Sequence, residues 1–334
     1  METTRAMTAR NRMAAAIAFQ AVDRVPASFW GHFPSDPHRA EDLAAETVAF
    51  QREFDWDFVK MMPSGMYLPE ALGCTLTPAA GPGAVNDLAE SVIKRPEDWA
   101  ALPALDPHQG WLAEHLRSIR LVREALGPDA PILETLFSPL TIAHKLSLHL
   151  PYRESVEEHR DSLLAGLASI TETTKRFAAA CLDAGADGFF FATQEANAGT
   201  LGRQDFVDLG RRFDLEVLQS LDERAWLNLL HVCRTEIYAD LVADYPVQMI
   251  NWDSERTAPS LEEARRVWAG VCLVGGLDRD GGLLVGAPSE VSSAVHRAVS
   301  LAGRQGLVIG AGCGLMVGTP RENLGAARAA VEGL

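Results

Sequence analysis

The chain is short of positive charge, of paired cysteines and of long apolar runs. Its 334 residues carry 30 Lys and Arg against 45 Asp and Glu, a formal net charge of −15. So acidic a surface repels polyphosphates and anionic lipid, so neither nucleic acid nor an anionic membrane is an expected partner. Five cysteines, Cys74, Cys181, Cys233, Cys272 and Cys313, are an odd and scattered set. No disulfide framework is expected, and a reducing compartment is. No apolar run approaches the ~18 residues of a membrane span. The first dozen residues are polar and arginine-bearing, without the apolar core of a secretory signal. A cytoplasmic location is the expectation.

Hydrophobic residues make up 47% of the chain, enough for a large core. Eight short apolar runs stand out, at 25–31, 56–61, 132–136, 188–192, 226–231, 247–251, 271–274 and 306–310. Most lack period-2 alternation, as strands covered on both faces do. Helical patterns fall between them at 40–54, 155–183, 203–221, 260–269, 289–302 and 320–331. Ser260 and Glu263 match a capping box, Ser289 to Ser292 suggests another helix start, and Pro320 suits a first helical turn. Eight strands alternating with helices predict an α/β fold, a single (β/α)8 TIM barrel. A doubly wound sheet would carry a glycine-rich phosphate turn after its first strand, and Trp30-Gly31-His32-Phe33-Pro34 is not one. Residues 1–11 are expected as an N-terminal tail and 12–334 as one barrel domain. An insertion over the mouth, with one helix, is expected around 65–131.

Such barrels place their chemistry at the C-terminal strand ends. Those ends carry His32, Lys60, Glu134, Gln194 with Glu195, His231 with Cys233, Asn251 with Asp253, Asp278, and Cys313. His231 and Cys233 share one side of an extended segment, with α-carbons ~6.5 Å apart. Cys313 lies in a loop that must arch over the mouth to meet them, with Gly310, Gly312 and Gly314 expected to supply unusual backbone angles. Imidazole and two thiolates form a zinc-type donor set with an open fourth position. The alternative is a hydrogen-bonded strand-end histidine and two small buried thiols. Cys74, Cys181 and Cys272 are expected to be inert packing.

Glu134 is the candidate catalytic carboxylate, expected to face the mouth beside the metal as ligand, orienting group or proton carrier. His32, Gln194, Asn251 and Asp253 are candidates for cofactor contacts. Lys60 is expected to pair with Asp57, and the mouth to offer few cations. Trp30, Phe33, Met61, Met62, Met66, Tyr67 and Phe137 are candidates for an apolar floor.

Several segments resemble the uroporphyrinogen decarboxylase superfamily. They are Arg12-Met13 with Asp23-Arg24-Val25-Pro26, Asp57-Phe58-Val59-Lys60, Gly185-Ala186-Asp187-Gly188, Gly275-Gly276-Leu277-Asp278 and Thr319-Pro320-Arg321-Glu322-Asn323. The resemblance runs from about Arg12 to Gly333 and implies a (β/α)8 fold. Within it, His231-x-Cys233 with Cys313 is similar to the zinc motif of the corrinoid-dependent methyltransferases. That implies Zn2+ on His231, Cys233 and Cys313, a corrinoid such as methylcobalamin or a methylated corrinoid protein, and a small thiol as the partner in methyl transfer. The decarboxylase branch carries an Arg-Gln-Ala-Gly-Arg-Tyr run after its first strand. Here Gly31-His32-Phe33-Pro34-Ser35-Asp36 has no arginine, and Met61-Met62-Pro63 stands where that branch has its acid. Arg234 follows Cys233 where the methyltransferase pattern usually has glycine. A lyase on another substrate and a non-catalytic corrinoid-binding protein are the alternative readings.

Overall fold

The computed structural model describes residues 6–33, 39–77 and 86–334. Pro34, Ser35 and Asp36 of the run compared above lie outside the described residues. The chain forms β1 (Val59–Lys60), an antiparallel hairpin of β2 (Thr75–Thr77) and β3 (Asp87–Glu90), then β4 (Ile132–Phe137), β5 (Gly188–Thr193), β6 (Leu229–Val232), β7 (Met249–Asn251), β8 (Cys272–Leu277) and β9 (Leu307–Ala311). Seven of these make one parallel sheet in the order β1-β4-β5-β6-β7-β8-β9. The first expected strand, 25–31, forms no regular ladder. It makes isolated parallel bridges, Ala27 with Ile309 and Gly31 with Leu315. Ser28 N donates to Ile309 O at 2.9 Å, and Asp57 N donates to Ala27 O at 3.0 Å. The segment therefore fills the gap between β9 and β1 and closes the barrel. Pro26, without an N–H, weakens that ladder.

Alternate strand residues divide between two cores. Leu133, Phe190, Leu229, Met249, Val274 and Val308 pack inside the barrel. Ile132, Phe189, Phe191, Leu230, Ile250, Leu273 and Ile309 pack outward under the helices. Burial on both faces explains why the strands read as continuous apolar runs. Helix Ala40–Phe54 matches its expected span, and helix Gly110–Leu126 is the regular barrel helix that precedes β4. The extra structure of the expected insertion is therefore helix Tyr67–Ala71, the β2–β3 hairpin and the turn around Trp99.

Helix Leu261–Val267 carries the expected capping box, with Ser260 Oγ accepting from Glu263 N and Glu263 Oε2 accepting from Ser260 N. The next helix instead spans Pro288–Ala302. Pro288 opens it and Glu290 reaches back to Ala287 N at 2.7 Å, so Ser289 is inside the first turn. The amino-terminal boundary also shifts, because helix Ala9–Ile17 begins within the expected tail, capped by Thr8. That helix is tied to the barrel's lower seam by charge. Arg12 contacts Asp23 at 2.7 Å and Asp57 at 2.5 Å, and Arg24 contacts Asp57 at 2.7 Å. Asp57 also accepts from Ala27 N at 2.7 Å. The expected Lys60–Asp57 pair does not form, because Asp57 is taken by two arginines and Lys60 points into the mouth.

Candidate metal centre

His231 sits on the inward face of β6, level with Asn251 of β7. Asn251 is fully buried, and its Nδ2 donates to Val274 O at 2.8 Å and Ala311 O at 2.9 Å. Both amide hydrogens are thus used, which leaves Oδ1 as an acceptor. It lies 2.6 Å from His231 Nδ1, so that nitrogen carries the proton. The lone pair of Nε2 then faces Cys313 Sγ, 3.5 Å away. Asn251 thereby fixes the tautomer and ring angle of His231, the usual task of a residue behind a metal ligand.

Cys233 lies just past β6, anchored by its N–H to Thr193 O at 3.0 Å. The chain turns immediately after it, at Arg234 with φ 75°. Glycine would take this left-handed conformation without strain, whereas arginine takes it at a cost. Cys313 comes from the loop after β9. Gly310, Gly312 and Gly314 do not supply the expected unusual angles, since none has a positive φ. Gly312 is needed for close approach instead, because a Cβ there would stand 2.7 Å from Asp253 Cα.

One nitrogen of His231 and the sulfurs of Cys233 and Cys313 all lie within 4.8 Å of one another. The hydrogen bond from Cys233 holds the Cys313 thiol well below its ordinary pKa. The same hydrogen bond, together with burial, pushes Cys233 well above it. One thiolate is therefore favoured before any ion binds. An aimed imidazole lone pair and two converging sulfurs, one poised to ionise, fit a tetrahedral N/S/S metal site.

A cavity of about 520 Å³ opens above this triad. Of the expected apolar floor, Trp30, Met62 and Phe137 line it, joined by Phe190. Met61, Met66 and Tyr67 are instead buried in the core, and Phe33 packs against it. Against the expectation of few cations, Lys60, Lys145 and Arg279 all line the cavity, and among the described residues no carboxylate does. Lys60 Nζ donates to Thr135 Oγ1 at 2.9 Å and lies 4.3 Å over the Phe190 ring. Burial pulls its pKa down to about 7, against the opposing pull of Glu134 and Cys313.

The remaining expected site residues divide. His32 and Gln194 line the cavity, His32 at its exposed rim. Asp253 does not line it. Its Oδ1 is buried without a hydrogen bond among the described residues, and Arg256 approaches the other oxygen at 3.8 Å. Glu134 is misplaced by the sequence reading. Leu133 and Thr135 face the barrel interior, so strand alternation turns Glu134 outward beneath the helices. There it lies 3.9 Å from His115 Nδ1 and is fully buried, and burial raises its pKa to about 8. It does not line the mouth. Lys145, Arg279 and Thr135 are the polar mouth residues that the sequence reading missed. Only Thr135 carried a signal, being one step along β4 from Glu134.

Fold and site together define a class. The family model "Uroporphyrinogen decarboxylase (URO-D)" matches residues 8–334, and the chain belongs to that family. Among curated relatives it is similar to "Methylcobamide:CoM methyltransferase MtaA" of Methanosarcina barkeri, 25% identical over 346 residues with 97% of each chain covered. "Methylcobamide:CoM methyltransferase MtbA" of Methanosarcina acetivorans is 20% identical, with 95% of each covered. A solved "methyltransferase from Methanosarcina mazei" shares the fold with a TM-score of 0.86 at 22% identity, covering 98% of this chain and 99% of that one.

Proposed function

We propose that the protein is a zinc-dependent methyltransferase that moves a methyl group between a corrinoid and a thiol. The observation that carries this reading is the convergence of His231 Nε2, Cys233 and Cys313 at the base of an open cavity. A zinc ion held there would keep an acceptor thiol deprotonated and nucleophilic near neutral pH. His231, Cys233 and Cys313 are its ligands, and Asn251 holds the imidazole in the binding tautomer. Trp30, Met62, Phe137 and Phe190 give the cavity apolar walls that exclude water from the reacting sulfur. His32 and Gln194, nearer the rim, contact the incoming corrinoid, whether free or presented by a corrinoid protein. The names of the curated relatives support both the methyl transfer and the thiol acceptor.

The test follows the cobalt spectrum of methylcobalamin while small thiols are added to zinc-loaded protein. Demethylation that depends on both thiol and protein is expected. If no thiol demethylates the corrinoid, the reading fails and a lyase or a binding protein takes its place.

A further inference from the structure

A thiol that becomes a nucleophile gives up a proton, and few groups in the mouth can take it. Among the described residues no carboxylate lines the cavity. Glu134, the carboxylate expected there, lies behind the barrel wall beside His115. His231 has one ring nitrogen bound to Asn251 and the other turned to Cys313. Arg279 is paired with Asp280 at 2.9 and 3.2 Å and keeps its charge at any working pH. His32 stands at the exposed rim. The two lysines remain, and Lys60 has the surroundings of a base. Its Nζ has two close acceptors, Thr135 Oγ1 at 2.9 Å and Met62 Sδ at 2.8 Å. Thr135 gives its own hydrogen to Met61 O at 2.7 Å, so its oxygen accepts from the lysine. Met61 O already takes that bond and stands 3.5 Å from Nζ. An ammonium has three N–H groups and finds here two good acceptors and no counter-ion. A neutral amine has two, satisfies both and keeps its lone pair. Burial favours the same form, and draws the pKa to about 7 against the pull of Glu134 behind the wall and Cys313. The other charges on the cavity lining, Lys145 and Arg279, are positive and do not oppose it. Lys145 lies 5.0 Å over the Phe137 ring and has no such pair of acceptors among the described residues.

We propose that Lys60, as the neutral amine, is the general base that takes the proton of the acceptor thiol. The assignment rests on the methyl-transfer reading. The S–H bond breaks, its electron pair stays on sulfur, and an N–H bond forms at Nζ. The proton then leaves to solvent through the open mouth, and the amine is restored for the next turnover. Phe190 joins the base to the triad. Its ring stacks on His231 at 5.2 Å between centroids and carries Lys60 Nζ at 4.3 Å. Thr135 and Met62, which hold the amine, line the same cavity as Cys233 and Cys313. A base tuned near the working pH is the efficient kind, and its removal typically costs about 100-fold or more in rate.

The experiment counts protons on the full-length, zinc-loaded protein. The probe is 2-mercaptoethanol, an uncharged thiol still largely protonated at pH 8. Titration calorimetry at pH 8, in buffers of different ionisation enthalpy, reads the protons released as it binds. Wild-type protein should release well under half a proton per thiol bound, because Lys60 keeps it, and Lys60→Met close to one. Lys60→Arg should match Lys60→Met, since it restores a charge but no base. Demethylation of methylcobalamin by the same thiol should rise with pH through about 7 in the wild type. In Lys60→Met it should fall about 100-fold or more at pH 7 and lose that rise. Lys60→Ala should recover part of the rate with added propylamine and none with tetramethylammonium. Equal proton release by wild type and Lys60→Met, or a Lys60→Arg protein as active as the wild type, would overturn the proposal and leave the methyl-transfer reading standing. If no thiol binds and none demethylates the corrinoid, that reading falls and the base falls with it.

Discussion

Asp57 and Lys60 are close in sequence yet face opposite ends of the barrel, and they are treated in opposite ways. At the lower seam Asp57 receives two guanidiniums and a backbone N–H, so its charge is fully matched. At the mouth the described contacts of Lys60 Nζ are all uncharged: a hydroxyl, a thioether, the Met61 carbonyl and an aromatic face. Charge at the bottom joins the amino-terminal helix to the strand that closes the barrel. At the top, Lys60 faces the cavity with no ion-pair partner among the described residues. In barrels of this kind the lower face serves stability and the upper face chemistry. Here the division is visible in which charges are paired.

Breaking the upper side should have the largest effect. Cys233→Ala or Cys313→Ala should lower methyl transfer by about a thousandfold or more while the far-UV circular dichroism spectrum stays that of a folded barrel. At the lower side, Arg24→Met should destabilise the fold by about 3–5 kcal/mol, because it strips a buried carboxylate of one partner. Denaturant unfolding measures that loss, and transfer per folded molecule should be unchanged. Asn251→Leu sharpens the division from within the site. It removes no ligand but frees the His231 ring, so zinc affinity should fall about 10- to 100-fold in a chelator competition.

Lys60→Met should do the reverse of Arg24→Met and stabilise the fold, by about 1–3 kcal/mol at pH 6. The sign follows from linkage. Burial holds Lys60 near 7, below its ordinary 10.5, so the folded state loses a proton that the unfolded state keeps. The wild-type penalty is therefore full below pH 7 and fades towards pH 10.5, and the variant's gain should fade with it in thermal melts. The smallest effect is expected at Glu134, which faces neither end. Glu134→Gln should change transfer less than about threefold. Its carboxyl titrates near 8 rather than 4.5, so the stability it lends is present at low pH and lost as pH rises through 8. The glutamine variant should gain on the wild type between pH 5 and pH 9.

The barrel was legible because buried strands and capped helices leave periodic marks. Seven expected strands appear as strands, and the eighth, 25–31, takes its place in the wall without a full ladder, where Pro26 interrupts it. His231, Cys233 and Cys313 were legible as donor types placed at strand ends, and Asn251 as a polar residue inside an apolar barrel. The face of Glu134 was not legible. β4 is buried on both sides, so no hydrophobic alternation tells inward from outward. Lys145 was hidden for another reason. It belongs to a helix rather than a strand end, and only the packing of that helix against the mouth brings it to the cavity. The neutralised bottom was hidden too, because Arg12, Asp23, Arg24 and Asp57 meet across long stretches of chain.

The most direct test is elemental analysis of the purified protein beside its Cys233→Ala and Cys313→Ala variants. The account predicts about one zinc per wild-type chain and almost none in either variant, with all three folded. Full zinc occupancy in both variants, or none in wild-type protein supplied with zinc, would contradict it.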